Sequence, residues 1–165
     1  MAEEAICAAD AELVVSRWFD APRELVFKVW TEPQHLAKWW GPQGFSIVSC
    51  DLDVRPGGRW RRCMRAPDGT VHSKLGVYRE IVAPERLVFT YADEDASGIC
   101  GHETLVTVSF TESGGKTKLV LHQTAFETQA ARRSHQVGWG SCLERLADYV
   151  AQNRTTSNQL WRMRS

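Results

Sequence analysis

Apolar and polar positions alternate along most of the chain and change to a helical period in its last quarter. Residues 12–19 (ELVVSRWF) carry the β-branched and aromatic side chains that suit a pleated strand. Asp20-Ala21-Pro22 then opens a helix, with an acidic cap candidate and a proline that the first turn tolerates. Leu25, Val26, Val29 and Trp30 follow at helical spacing. Thr31-Glu32-Pro33 restarts a second short helix with Leu36, Trp39 and Trp40 on one side, and Gly41-Pro42 ends it. From there to residue 125 the pattern predicts six strands, at 44–53, 59–66, 71–82, 86–92, 103–112 and 116–124. Turn-forming residues separate them: Arg55-Pro56-Gly57-Gly58, Pro67-Asp68-Gly69, Ala83-Pro84-Glu85, an acidic loop at 93–98, and Ser113-Gly114-Gly115. At hairpin spacing these predict an antiparallel meander. Over 128–152, Ala131, His135, Trp139, Cys142, Leu143, Leu146, Tyr149 and Val150 form the stripe of a long amphipathic helix.

A seven-stranded sheet must bury one face and a single amphipathic helix must bury one stripe, so each satisfies the other. The expected fold is α+β: a curved seven-stranded antiparallel sheet wrapped around a long C-terminal helix, with two short helices after the first strand. The domain is expected at 12–152, with a loose arm at 1–11 and a polar tail at 153–165. A strongly curved sheet around one helix leaves space that side chains need not fill, which is a physical route to a binding cavity.

Composition narrows the function classes. The 165 residues make one domain, and 43% apolar with 24% charged is the balance of a globular chain. Twenty Lys plus Arg offset twenty Asp plus Glu, which argues against a nucleic-acid partner or membrane surface. No apolar run reaches membrane-spanning length, and Met1-Ala2-Glu3-Glu4 does not resemble a secretory leader, so no membrane insertion and a cytoplasmic location are expected. Five cysteines, at 7, 50, 63, 100 and 142, are scattered without a Cys-x-x-Cys pair, as suits reduced thiols. Cys100-Gly101-His102, with His72, is too sparse for zinc; no metal and no cofactor are expected. Seven Trp, three Tyr and six Phe exceed what plain packing asks for and suit the lining of a surface or cavity.

Seven strings stand in one register: Asp20-Ala21-Pro22, Trp39-Trp40-Gly41-Pro42, Arg55-Pro56-Gly57-Gly58-x-Trp60-Arg61, Pro67-Asp68-Gly69, Gly76-x-Tyr78-x-Glu80-Ile81, Pro84-Glu85-Arg86-Leu87-Val88 and Gly138-Trp139. Together, over roughly residues 12–151, they resemble the activator of heat-shock-protein-90 ATPase homologue-like family of the START-like (SRPBCC, helix-grip) superfamily. The resemblance implies a helix-grip fold with a deep cavity between sheet and C-terminal helix. It also implies apolar ligands such as lipids, hormones or polyketides, with a minority of members catalysing cyclisations or hydrolyses. The eukaryotic co-chaperone that names the family carries a separate N-terminal domain, for which this chain has no room.

Alternation sorts the candidate site residues. Trp60, Arg62 and Met64 share the inward face of their strand; Arg59, Arg61, Cys63 and Arg65 make a solvated basic face on the other side. An inward Arg62 needs either a carboxylate in a ligand or an acid of the protein. Phe89 and Tyr91 share a face with Leu87, and Val106, Val108 and Phe110 form a similar set that serves as core or cavity wall. Tyr78 is a candidate polar contact, but Leu75 and Val77 make an equally good apolar register, so the inward face of 71–82 stays open. Trp39 and Trp40 either plug the open end of the sheet or gate the cavity mouth. His135 and Trp139 lie one turn apart on the inner stripe, flanked by Gly138 and Gly140, which leave room beside the indole. Leu119, Leu121 and Gln123 face inward and His122 outward. Relatives often place a His where Gln123 stands, and the neutral amide weakens the case for acid–base catalysis.

The expected function is binding of a small apolar or aromatic ligand, lipid-like or polyketide-like, between sheet and helix. Trp60, Met64, Phe89, Val106, Val108, Trp139 and Leu143 would bury it, and Arg62, Tyr78, Tyr91, Gln123 and His135 would orient it. Two alternatives stay open. One is a cyclase, dehydratase or hydrolase on the same cavity, with His135 as its only candidate base; the other is a chaperone-interacting module. A monomer or homodimer suits each of them.

Overall fold

The computed structural model describes residues 11–164 other than 42, 96 and 99, with side chains as far as residue 152. Residues 1–10 of the expected arm lie outside the described residues. Ten elements follow in order: β1 (Leu13–Phe19), α1 (Arg23–Thr31), α2 (Pro33–Trp39), β2 (Ser46–Leu52), β3 (Arg59–Arg65), β4 (Val71–Val82), β5 (Arg86–Glu94), β6 (Thr104–Ser113), β7 (Lys116–Thr124) and α3 (Gln129–Arg164). The strands form one antiparallel sheet in the order β1-β7-β6-β5-β4-β3-β2. Strands β2 to β7 are therefore a meander, and β1 joins beside β7 at the far edge. The two short helices carry the chain from one edge to the other, α1 packing on β6 and β7 and α2 on β2, and both meet α3.

Local chemistry explains the joints. Helix α1 begins after Pro22, so the N-cap position falls on proline rather than on Asp20 and carries no side-chain cap. The first helical N–H, at Arg23, donates instead to the Glu112 carboxylate at 2.9 Å. That anion sits where the helix dipole favours it. The C-terminal end of α2 is gripped by Arg145 of α3, whose Nη1 donates to the carbonyls of Trp40 and Gly41, each at 3.0 Å. Helix α3 runs on to Arg164, beyond the 152 at which the apolar stripe stops. No Gly or Pro interrupts 153–164, so nothing in the sequence breaks the backbone ladder there.

On β4 the structure decides the open question of register. Gly76 and Tyr78 face inward and are buried, whereas Leu75 and Val77 are half-buried on the other side. A Cβ at Gly76 would stand 1.8 Å from the Thr90 carbonyl and 2.6 Å from the Trp60 Nε1. Only glycine lets the Trp60 indole cross β4 and donate to Thr90 O at 3.1 Å. On the outer side, Arg59 and Arg65 are exposed and Arg61 pairs with Glu94 at 2.6 Å, as expected of a solvated face, but Cys63 departs from it: it is buried, 3.3 Å from the Ser73 hydroxyl of β4. His122 also points outward, 2.9 Å from Glu12. No helix among the described residues is long and apolar enough to cross a membrane.

Candidate functional site: a cleft under the C-terminal helix

Beneath Ser134 to Cys142 of α3 a cleft of about 280 Å³ opens between helix and sheet. Helix α3 contributes Ser134, His135, Gly138, Trp139 and Cys142; the sheet contributes Met64, His72, Lys74 and Tyr91; the segment after α2 contributes Trp40, Gly41 and Phe45. A Cβ added at Gly138 would meet nothing within 4 Å. The glycine makes space for the cleft rather than for a close strand.

Aromatic rings dominate the wall. Trp139 packs edge-on to Trp40 at 5.1 Å and lies 6.0 Å from Tyr91 between ring centroids. His135 is held by rings, 5.4 Å from Tyr91 and 5.2 Å from Phe126. Trp139 is fixed by a chain of hydrogen bonds that crosses three strands. Its Nε1 donates to Gln123 Oε1 at 2.8 Å, Gln123 Nε2 donates to Thr104 Oγ1 at 2.8 Å, and Thr104 Oγ1 donates to Tyr91 O at 3.0 Å. Gln123 is fully buried, and its amide is committed to this chain at both ends.

The other indoles divide in two. Trp39 donates to Val29 O at 3.0 Å and Trp60 to Thr90 O, so both are tethered. Trp30 and Trp40 bury their Nε1 without a partner. Trp40 is thus a cleft-wall indole without a hydrogen bond among the described residues.

Arg62 is the most unusual residue nearby. It is 1% exposed, and its guanidinium carbon stands 4.0 Å from the Trp40 ring centroid and 4.3 Å from that of Trp60. Among the described residues its Nε and Nη1 and the buried Tyr78 hydroxyl make no well-formed hydrogen bond, although the guanidinium lies against the Tyr78 hydroxyl and the Cys50 thiol and opposes the rise that burial gives both. Among the described residues, no acid of the protein takes the place that the sequence left open as a partner for Arg62.

Burial sets the titration of the wall. It pushes the His135 imidazole below 6.5, so the ring is neutral at pH 7, and it raises the Tyr91 phenol. The same cause lifts the Cys142 thiol to about 12, which removes it as a nucleophile at neutral pH. Among the described residues no cluster of three His, Cys, Asp or Glu could hold a metal ion.

Of the candidate residues, Trp40, Met64, Tyr91, His135 and Trp139 come together on the cleft. Trp39, Trp60, Phe89, Val106, Val108 and Leu143 face inward but are packed in the core without reaching it. Arg62, Tyr78 and Gln123 are buried and do not line it either. His72, Lys74, Phe45, Ser134 and Cys142 line it without having been singled out as ligand contacts. His72 and Lys74 share Gly76's face of β4, a signal hidden by the competing Leu75 and Val77 register. Ser134, Gly138 and Cys142 recur every four residues, a signal masked by their small size.

A family model described as activator of Hsp90 ATPase homolog 1-like protein matches residues 20–151. The chain belongs to that family. No curated protein matches it significantly. Solved structures do. The AHSA1 protein of Silicibacter pomeroyi is 27% identical with a TM-score of 0.81, over 87% of this chain and 99% of that one. A protein of Chromobacterium violaceum is 27% identical with a TM-score of 0.75, over 85% and 96%. One from Arthrobacter aurescens shares the fold at 22% identity and a TM-score of 0.78, over 89% of this chain and 90% of that one. This member of the Hsp90 ATPase activator-like family has the helix-grip architecture of its relatives.

Proposed function

We propose that the cleft binds one small, largely aromatic molecule. The observation that carries this reading is the wall itself, in which Trp40, Phe45, Tyr91 and Trp139 surround the gap left by Gly138. Its volume of about 280 Å³ lies just below the roughly 300–1,000 Å³ of ordinary ligand pockets. A compact aromatic molecule of one to three rings fits. His72, Lys74, Ser134 and His135 supply polar contacts among the rings. His135 makes no hydrogen bond among the described residues, so no group orients it as a general base would need. That favours binding over acid–base chemistry. The chaperone reading rests on the family's name alone.

Titration with the neutral fluorophore N-phenyl-1-naphthylamine tests the proposal. Saturable binding of one molecule per chain, with quenching of tryptophan emission, is the expected result. No saturable binding across a panel of neutral one- and two-ring compounds would overturn it.

A further inference from the structure

We infer that the ligand carries an acid group and that Arg62 is its counter-ion, reached past the Trp40 indole. The inference deepens the proposed binding function and rests on it. A guanidinium taken out of water without a carboxylate is costly, and stacking on two indoles offsets only part of that cost. Arg62 nonetheless has two N–H-bearing nitrogens buried without an acceptor in ordinary hydrogen-bond geometry, and the groups it lies against, the Tyr78 hydroxyl and the Cys50 thiol, are held neutral by burial. These polar atoms await a group that can accept hydrogen bonds.

Position connects this group to the cleft. Lys74 is Arg62's cross-strand partner on β4, Met64 lies two residues along β3, and Trp40 stacks over the guanidinium. All three line the cleft. Lys74 is already paired with Asp93, whereas Arg62 has no ion pair among the described residues. The positive charge of Arg62 is felt on the cleft wall, where it opposes the burial-driven rise of the Tyr91 phenol and the Cys142 thiol. Of the cleft-wall indoles, Trp139 is tethered and Trp40 is not. Trp40 is therefore the wall that can turn aside to let a carboxylate meet the planar fork of the guanidinium, with the Tyr78 hydroxyl donating to the same group.

The matched pair 1-naphthoate and 1-naphthamide separates charge from shape. By calorimetry at low ionic strength, the wild-type chain should bind the acid about tenfold or more tighter than the amide. Arg62→Met keeps an apolar stem between the indoles and should erase that preference while still binding the amide. Its denaturation midpoint should not fall, since an unpaired buried charge has been removed. Should Arg62→Met fail to fold, Arg62→Lys gives the second reading, with the acid preference weakened because an ammonium lacks the bidentate fork. Equal binding of acid and amide by the wild type overturns the inference and leaves the cleft proposal standing. So does a preference that survives in Arg62→Met but vanishes in Lys74→Met. Failure of both compounds, together with the neutral fluorophore, overturns the binding function and this inference with it.

Discussion

On β6 and β7 the inward residues Val106, Val108, Phe110, Leu119 and Leu121 are at most 2% exposed, whereas on β3 to β5 the inward Met64, Lys74 and Tyr91 border open space. The strands of the two halves alternate in the same way. What differs is the layer above them. The filled half lies under Val26, Phe27, Val29 and Trp30 of α1 and the buried Leu143, Leu146 and Val150 of α3. The open half lies under Ser134, His135 and Gly138, where α3 offers small or polar side chains. One helix therefore does two jobs along its length. Its later turns complete a core, and its first turns leave a cleft by withholding side chains.

The sharpest way to break this comparison is to truncate one large ring on each side. Phe110 packs on Phe27 at 5.4 Å and Trp30 at 6.5 Å; Trp139 packs on Trp30, Trp40 and Tyr91 and is 4% exposed. Phe110→Ala and Trp139→Ala should each cost about 3–5 kcal/mol in chemical denaturation, as large-to-small changes in packed surroundings do. Only Trp139→Ala should also lose N-phenyl-1-naphthylamine binding once the folded fraction is corrected for. Equal loss of affinity in both would mean that the two halves are not separate.

The two halves were unequally legible in the sequence. Strand alternation and the turns at Pro67-Asp68-Gly69 and Ser113-Gly114-Gly115 are local signals, so all seven strands fall where the pattern places them. Inwardness was equally readable for Trp60, Arg62, Met64, Phe89, Tyr91 and Gln123. Whether an inward residue is core or cleft wall was not, because that depends on what the helix sets opposite it. Trp60 is core rather than wall for this reason, and of the two roles open to Phe89, Val106 and Val108 they take the core. The β4 contribution of His72 and Lys74 was obscured because Leu75 and Val77, on the outer face, make as good an apolar register as Gly76 and Tyr78 on the inner one. The hydrogen bonds that commit Gln123 to Trp139 and Thr104 are long-range, and no sequence spacing announces them.

A milder change sharpens the comparison by making the open half resemble the filled one. Gly138→Leu adds a side chain where a Cβ meets no atom within 4 Å. Replacing a mid-helix glycine with leucine should raise stability by about 0.7–1 kcal/mol through helix propensity alone. The same side chain should fill the cleft and weaken N-phenyl-1-naphthylamine binding by roughly tenfold or more. Gly140 is the control, since it is exposed and its Cβ also meets nothing. Gly140→Ala should give a stability gain of about 1 kcal/mol with unchanged affinity. Loss of binding in Gly140→Ala, or unchanged binding in Gly138→Leu, would separate the cleft from the ligand site.

The smallest expected effect is a pH dependence confined to the open half. His135 is the cleft histidine whose imidazole burial holds below its ordinary 6.5, while the nearby Asp93 carboxylate pulls the other way and Lys74 adds to the fall. Above pH 6.5 the ring is neutral in both the folded and the unfolded chain, and it contributes no slope. As pH falls through 6.5 the unfolded chain takes up a proton that the folded chain still refuses, so stability drops. The drop stops once the pH passes below the depressed value of the folded state. Denaturant midpoints of wild type and His135→Gln, compared between about pH 7.5 and 5.5, should show a steeper fall in the wild type, worth at most one proton. A wild-type slope no steeper than that of His135→Gln would mean that the ring is as well solvated as in the unfolded chain, and that the open half admits water freely enough to compete with an aromatic ligand.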